Sequence, residues 1–210
     1  MLPPSIPLFP LPSVVLFPNV FLPLHIFEPR YRQMVADALQ GDRIIGMALL
    51  RPGYEATYEG RPAIYDVGCA GVITHSHPFP DGRFDIVLRG IEKIRITSED
   101  QSRPYRIGHV ESISETIPAD EAQPLRQQRQ RLEAVLAAAV ERVRAEPKFP
   151  PSVPDEDLVN ALAQYLELEV VERQALLECE GVLARCRALI NLLEMKLHTP
   201  RGGWTDKLAH

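Results

Sequence analysis

Residues 6–39 restrict the fold of the chain more than any other segment, because they place prolines between short apolar runs. A proline has no backbone N–H to donate, so within a sheet it is confined to strand ends, edges and bulges. The prolines in question are Pro7, Pro10, Pro12, Pro18, Pro23 and Pro29. The segment therefore predicts short, bent strands and excludes a signal-peptide helix or a membrane span.

A helix is predicted over residues 28–39, directly after these strands, with Pro29 at the first helical position, where proline is favoured. Short strands that bend repeatedly are predicted throughout the proline-containing segment before it. A polypeptide that bends repeatedly and then enters a helix at once is typical of the outside of a small barrel.

Composition and charge narrow the class of protein. The chain has 210 residues, 45% of them hydrophobic and 24% charged, which suits one large or two small globular domains. The formal net charge is −5 and basic residues alternate with acidic ones, so no nucleic acid is expected as a partner. Since no apolar run is long enough to span a bilayer and no basic segment precedes the apolar start, a cytoplasmic protein without membrane contact is expected.

Strand signals dominate up to about residue 117. An apolar run over residues 42–50 predicts one strand, and residues 67–96 predict a hairpin that turns at Asp81-Gly82. Gly90 is predicted to end the second hairpin strand, and Gly68 and Gly71 are predicted to mark a bulge or a tight barrel corner. With a last strand over residues 104–114, six or so short strands and one early helix predict a small closed or nearly closed barrel.

Helical signals dominate from residue 118. A linker over residues 117–124 leads into a helix whose apolar stripe is Leu132, Leu136, Ala139 and Val143. A proline-rich break over residues 146–154 precedes a helix that Asp155 is predicted to cap. Two more helices follow, the last with Leu183, Cys186, Ile190, Leu193 and Leu197 on one seam, so a four-helix cluster is predicted. The predicted domains are residues 1–117 and 118–210.

The order of these pieces resembles the amino-terminal, substrate-binding domain of the Lon proteases. The similar segments are the opening, VGCAGVIT, PFPDGRFDIVLRGIEKIRI and the closing helices from DLVNALAQYL to LLEMKL. They cover about residues 6–197. The resemblance implies an α+β fold, a PUA-like barrel followed by an α-helical bundle, and a module that binds polypeptide.

Full Lon proteases continue into ATPase and peptidase modules, whereas this sequence contains no G-x-x-x-x-G-K-[ST] loop for phosphate. The expectation is a stand-alone recognition domain that is not an enzyme and needs no cofactor. Oligomeric state is left open, including a weak homodimer. Two alternatives remain: a PUA-like RNA-binding protein, and a metal-dependent enzyme that uses the hairpin with His75 and His77.

Three groups of side chains are candidates for chemistry. Cys69, His75 and His77 have ligand types for zinc, although a polar hairpin end explains the two histidines as well. Cys179 and Cys186 are interpreted as one partly exposed and one buried thiol, without redox work. His25, Glu28 and Arg30 cluster at the strand-to-helix turn, where an acid–base site and a structural turn are both conceivable.

The candidate peptide-binding residues lie at the same turn. Phe27, Arg30 and Tyr31 are residue types that protein interfaces favour as anchors. The alternative for Tyr31 is that its ring fixes the helix to the barrel core.

Overall fold

The structure is a computed structural model that describes residues 2–58, 60–100, 102–141 and 152–198. Contacts between residues divide the chain into two compact units, Met1–Ser114 and Glu115–His210. The two predicted domains, 1–117 and 118–210, remain a prediction in the sense of independently folding pieces.

The first unit is a six-stranded sheet with one α-helix in the described residues. Its elements are β1 (Ser5–Leu11), β2 (Phe21–Ile26), α1 (Pro29–Gln40), β3 (Ile44–Leu49), β4 (Val67–Pro78), β5 (Phe84–Asp100) and β6 (Arg106–Ile113). Together with the helices of the second unit, this confirms the predicted α+β class.

Strand pairing in the first unit runs in a ring. Strand β1 lies parallel to β3 and antiparallel to β6, while β3, β4, β5 and β6 follow one another in antiparallel pairs. The long strand β5 makes this possible, because its first half pairs with β2 and its second half with β6. Strand β2 therefore lies at an edge of the sheet, beside β5.

Alternation along β5 builds the core of the first unit. Ile86 and Leu88 are buried, whereas Asp85 before them and Arg89 after them are exposed, as the predicted apolar face requires. Helix α1 closes one side of this core. Its buried residues are Tyr31, Met34, Val35 and Ala38.

Residues 14–18 are not a strand, contrary to prediction. Val15, Leu16 and Phe17 are almost fully buried, but none belongs to the sheet. The run ends in a turn at Asn19, whose φ is 62°, and the Asn19 N–H donates to the Gly90 carbonyl. An apolar run bracketed by prolines fills the core with its side chains and does not need a hydrogen-bonded strand neighbour to do so.

Gly90 does not end a strand, which corrects a second prediction. Strand β5 continues through Gly90, and the register with β4 shifts between Ala70 and Gly71, so the extra residue Ile91 forms a bulge. The bulge predicted near Gly71 is thus confirmed. A Cβ on Gly90 would lie 2.0 Å from the Phe17 carbonyl oxygen, so glycine serves close backbone approach here.

The second unit is helical in its described residues. Its helices are α2 (Ala122–Glu141), α3 (Asp155–Tyr165), α4 (Val170–Glu178) and α5 (Gly181–His198). The predicted seam of α5 is buried at Leu183, Cys186, Ile190 and Leu193. Val143, one position of the predicted stripe, lies outside the described residues. So do most residues of the predicted break over 146–154. None of the described helices is long and apolar enough to cross a membrane.

Asp155 is the first residue of α3 rather than its cap, since Pro154 occupies the capping position. The Asp155 carboxylate accepts a hydrogen bond from Arg129 Nη1 at 2.7 Å and so fixes α2 to the start of α3. The helix dipole favours an anion both at the capping position and at the first helical residue. The sequence therefore did not distinguish these two positions for Asp155.

A buried guanidinium holds the second unit together. Arg185 on α5 is 0% exposed and donates to Asn160 Oδ1 at 2.7 Å, to the Leu176 carbonyl at 2.9 Å and to Glu115 Oε1 at 2.6 Å. These bonds tie α5 to α3, to α4 and to the chain before α2. A buried charge is tolerated in a protein when it is paired and hydrogen-bonded in this way.

Candidate functional site

The turn between β2 and α1 is formed by Phe27 and Glu28. Pro29 occupies the first turn of α1, as predicted, and the Arg32 N–H donates to the Glu28 carbonyl to begin the helix. The Glu28 side chain does not cap the helix. It accepts hydrogen bonds from Arg30 Nε and from the Tyr58 hydroxyl instead, both at 3.0 Å.

Tyr31 lies in the core beneath this turn. Its side chain is only 4% exposed, its ring centroid is 4.5 Å from that of Phe9, and the Arg30 guanidinium covers the ring at 4.6 Å. Burial raises the pKa of Tyr31 to about 12, although the neighbouring charge of Arg30 acts to lower it. This geometry favours the alternative that Tyr31 fixes α1 to the core.

Phe27 points to the outside, where it is 61% exposed. Its ring stacks with His25 at 6.3 Å, His25 meets the edge of Phe79 at 6.1 Å, and His77 meets Phe79 at 5.0 Å. We call His25, Phe27, His77 and Phe79 the aromatic patch. The patch joins the end of β2 to the hairpin between β4 and β5.

The predicted cluster of His25, Glu28 and Arg30 is divided between two neighbourhoods. His25 Nδ1 lies 2.6 Å from Asp85 Oδ1 on β5, where both side chains are about half exposed. Glu28 binds Arg30 and Tyr58 on the other side of the turn. The turn therefore holds a hydrogen-bonded His25–Asp85 pair and a separate Glu28–Arg30 ion pair, and it does not pair His25 with Glu28.

The outer edge of β2 carries backbone groups that face away from the sheet. Gly90 on β5 faces β2, because its N–H donates to the Val20 carbonyl and its carbonyl accepts from the Asn19 N–H. Backbone direction alternates along a strand, so Leu88 and Ile86 also face β2 and pair there with Leu22 and Leu24. Pro23 and His25 accordingly direct their backbone groups outward. No described strand pairs with β2 on that side.

A cleft of about 240 Å³ opens on the other side of the turn. Three guanidinium groups and three phenol rings dominate its lining, with prolines between them. The lining residues are Pro10, Arg30, Tyr31, Leu50, Tyr58, Gly60, Arg61, Pro62, Pro104, Tyr105 and Arg106. We call it the arginine–tyrosine cleft.

The charges in the arginine–tyrosine cleft are partly neutralised. Arg106 is 6% exposed and donates to Glu99 at 3.0 and 3.1 Å and to the Pro62 carbonyl at 2.6 Å. Tyr105 donates to Asp37 at 2.7 Å, and burial followed by this hydrogen bond raises the pKa of Tyr105 to about 12. Arg30 is paired with Glu28 at 3.0 Å.

Sequence reasoning found Arg30 and Tyr31 but missed the rest of this cleft. Tyr58 and Arg61 come from one loop and Arg106 from the start of β6, so these segments lie far apart in sequence from each other and from Arg30 and meet only in the folded unit. The available signal was local: tyrosine and arginine recur beside glycine and proline in GYEATYEGRP and SRPYR. Loop residues of these types often contact ligands. Their spacing in the sequence, however, does not show that they meet in the fold.

The structure does not bring the predicted metal ligands together. Cys69 is 0% exposed in the core and its thiol donates to the Ala70 carbonyl, whereas His75 and His77 are exposed on the same strand. Among the residues that the structure describes, no group of three or more side chains is arranged to hold a metal ion.

The two remaining cysteines match their interpretation. Cys186 is buried and Cys179 is partly exposed, and both thiols are unoxidised. Burial raises the pKa of the Cys186 thiol to about 11, so this thiol is protonated and unreactive near neutral pH.

Comparison with known proteins agrees with this architecture. Residues 5–195 match the profile of the ATP-dependent protease La (LON) substrate-binding domain. The solved N-terminal domain of the Mycobacterium avium complex Lon protease superposes with a TM-score of 0.65 at 17% identity, covering 90% of this chain and 98% of that one. The Lon N-terminal domain protein from Xanthomonas campestris gives a TM-score of 0.56 at 22% identity, covering 93% and 99%. Both show a shared fold.

Relatives by sequence are Lon proteases. The Lon protease of Dictyoglomus thermophilum is 26% identical over 209 residues, which are 93% of this chain and 25% of that protein. Lon protease 2 of Syntrophobacter fumaroxidans is 32% identical over 181 residues, 84% of this chain and 22% of that protein. The chain thus spans about a quarter of the length of these relatives. By the match over residues 5–195, the chain belongs to the LON substrate-binding domain family.

Proposed function

We propose that this chain is a non-enzymatic recognition module that binds extended, apolar segments of polypeptides at the outer edge of β2. Its family is named for substrate binding, and the sequence relatives match over about a quarter of their length. The observation that carries the choice of surface is the edge of β2, which faces away from the sheet directly beside the aromatic patch.

A peptide that adds to a sheet edge gains main-chain hydrogen bonds, while side-chain pockets select its sequence. The His25 N–H and the carbonyls of Pro23 and His25 are the groups that such a peptide would meet. Pro23 supplies no donor at the centre of this edge, which limits pairing between copies of the chain. Because the peptide must also be ordered as it binds, an affinity in the range of about 1–100 µM is expected.

Phe27 supplies the apolar contact in this proposal. At 61% exposure its ring is available to a ligand, and its neighbours His25 and Phe79 extend the apolar surface to the hairpin. Arg30 flanks the site on the other side of the turn. Tyr31 contributes from below, because its buried ring positions the turn that presents Phe27 and Arg30.

The proposal can be tested with a matched pair of variants at one position. His25→Pro removes the side chain and the outward N–H, whereas His25→Ala removes the side chain alone. Both lose the pair with Asp85, so their stability should be similar. Fluorescence anisotropy with a labelled apolar peptide should show binding weakened about fivefold or more in His25→Pro relative to His25→Ala, as the loss of a backbone hydrogen bond predicts. Equal affinities would contradict binding at this edge.

The proposal also covers what the chain does not bind. The protein is cytoplasmic in this proposal, catalyses no reaction, and binds neither a cofactor nor nucleic acid. Whether it forms a homodimer is left open. Binding of RNA through several phosphates would weaken steeply with salt, by about 10³-fold over a fourfold rise in salt for six or more contacts. A tight RNA complex with that salt dependence, measured by filter binding, would favour the PUA-like RNA-binding alternative.

A further inference from the structure

We propose that the arginine–tyrosine cleft binds a carboxylate group of the recognised polypeptide, either its C-terminal α-carboxylate or the side chain of an aspartate or glutamate. This inference rests on the proposed function, since it assigns the chemistry of one part of the bound chain. The cleft lies beside the turn that carries Phe27, on the side of Arg30.

The hydroxyl of Tyr31 is the first observation. The side chain is 4% exposed and lines the cleft, and the charged and phenolic groups acting on its oxygen are Arg30, Glu28, Tyr58 and Arg106. Among the described residues this hydroxyl has no hydrogen-bond partner. A hydroxyl that lines a cleft and has no protein partner there is available to donate a hydrogen bond to a ligand, and a carboxylate oxygen accepts such a bond.

Arg61 is the second observation, independent of the first. Its guanidinium makes two long hydrogen bonds, 3.3 Å to the Asp100 carbonyl and 3.4 Å to the Arg103 carbonyl. Arg30 and Arg106 are each paired with a carboxylate, whereas Arg61 is not paired with any carboxylate of the described chain. A planar guanidinium in this state favours a carboxylate ligand, which it can bind through two parallel hydrogen bonds.

Charge and size distinguish a carboxylate from other anions. Of the three guanidinium groups of the cleft, Arg30 is paired with Glu28 and Arg106 with Glu99, which leaves the charge of Arg61 as a local excess of one positive charge among the described residues. This excess suits a monoanion and disfavours a phosphate dianion, which Glu28 and Glu99 would repel. The volume of about 240 Å³ is below the roughly 300–1,000 Å³ usual for cofactor sites, so a chain end or a single side chain fits better.

The walls of the cleft are suited to a peptide rather than to a free ion. Pro10, Leu50, Pro62 and Pro104 supply apolar surface around the guanidinium and phenol groups. An amino-acid residue attached to the bound carboxylate would contact these rings, whereas a small inorganic anion would leave them exposed to water.

A small probe tests the cleft without a long peptide. N-acetyl-Leu-Ala with its carboxylate and the same dipeptide as an amide are titrated into the ¹⁵N-labelled full chain and followed by NMR. The acid should shift the backbone amide signals of Tyr58, Gly60, Arg61, Tyr105 and Arg106 and bind about tenfold more tightly than the amide, a difference of about 1.4 kcal/mol. Inorganic phosphate should compete only at higher concentration than the acid.

Variants assign the effect to the two side chains. Arg61→Gln should reduce the preference for acid over amide about fivefold or more, and Tyr31→Phe, which keeps the buried ring, should reduce it severalfold. Arg95→Gln is the matched control. It makes the same charge change at an exposed position of β5 that does not line the cleft, and it should leave the preference unchanged.

Labelled longer peptides separate the two sources of the carboxylate. One pair differs only in a free or amidated C terminus, and the other pair, both amidated, carries an internal glutamate or glutamine. Tighter binding of the acid member in either pair supports the proposal and names the source.

Acid and amide that bind equally, with Arg61→Gln and Tyr31→Phe both without effect, would overturn it. So would phosphate that binds more tightly than the acid. If long peptides bind through the edge of β2 while the dipeptide acid and the dipeptide amide bind with equal affinity, the inference about the cleft fails and the proposed function stands. If the dipeptide acid binds but no long peptide does, the proposed function fails.

Discussion

Tyr31 shows how one residue type leads to two functional interpretations. Sequence alone placed an aromatic ring at a strand-to-helix turn, where it could contact a ligand or the core. In the structure the ring is 4% exposed against Phe9, while its neighbour Phe27 is 61% exposed. Whether a side chain at such a turn points to the core or to solvent depends on where the helix packs. This is a tertiary property that residue type does not encode.

Replacement of Tyr31 by alanine should therefore act on stability. The loss of a buried aromatic ring is expected to lower the free energy of unfolding by roughly 3–5 kcal/mol, because the cavity under α1 cannot collapse fully. Tyr31→Phe is the control and should change it by less than about 1 kcal/mol, since only the hydroxyl is removed. Urea titration measures both. A stable Tyr31→Ala with weakened peptide binding would identify Tyr31 as a surface anchor instead.

Buried phenols also predict a loss of stability in alkali. Burial raises the pKa of Tyr31 and of Tyr105 to about 12, above the value of 10 in an unfolded chain. Between pH 10 and 12 the unfolded state releases these protons more readily, so stability is complete below pH 10 and falls as the pH rises toward 12. Each group should account for roughly 1–3 kcal/mol.

The comparison of wild type with Tyr31→Phe isolates the contribution of one phenol. The variant should lose less stability than wild type between pH 9 and 11.5 in urea titrations. Identical pH dependence in the two proteins would show that the Tyr31 hydroxyl has an ordinary pKa.

At the scale of elements, the sequence was most informative where pattern and packing coincide. The hairpin of β4 and β5, the start of α1 at Pro29 and the apolar seam of α5 follow from local periodicity and turn chemistry. The errors at residues 14–18 and at Gly90 have one common cause. The buried run that contains Phe17 passes against Gly90, and this long-range approach decides both conformations.

Gly90→Ala tests that explanation. The added methyl group would lie 2.0 Å from the Phe17 carbonyl oxygen, a backbone atom, so the bulge in β5 must move. The free energy of unfolding should fall by roughly 1–3 kcal/mol or more, as for overpacking of a core. Gly41→Ala is a suitable control, because its nearest contacts would be at 3.9 Å. A Gly90→Ala protein as stable as Gly41→Ala would contradict the close approach.

At the scale of the whole chain, the change from strands to helices was evident from the change of period near residue 117. The contacts divide the chain between Ser114 and Glu115. The candidate site was less predictable, because the arginine–tyrosine cleft gathers residues from positions 10 to 106. Only Arg30 and Tyr31, which lie beside the turn, could be predicted from the local sequence.

Limited proteolysis tests whether the predicted linker separates two folded pieces. Residues 118–120 are exposed and outside helices and strands, so a glutamyl protease should cleave first after Glu121, at the start of α2. The other predicted site, residues 148–154, lies mostly outside the described residues. First cleavage within residues 84–96, in the middle of the sheet, would contradict the assignment of β5.

The most direct test of the account is the binding of an unfolded polypeptide to the full chain. A fluorescein-labelled apolar peptide should bind saturably, with a dissociation constant in the range of about 1–100 µM and with little dependence on salt, because the edge of β2 and the aromatic patch bind mainly through backbone and apolar contacts. The Phe27→Ala variant should bind more weakly at unchanged melting temperature, since Phe27 is exposed. Absence of saturable binding up to about 1 mM by a folded protein, beyond the weakest affinity usual for specific recognition, would contradict the central claim.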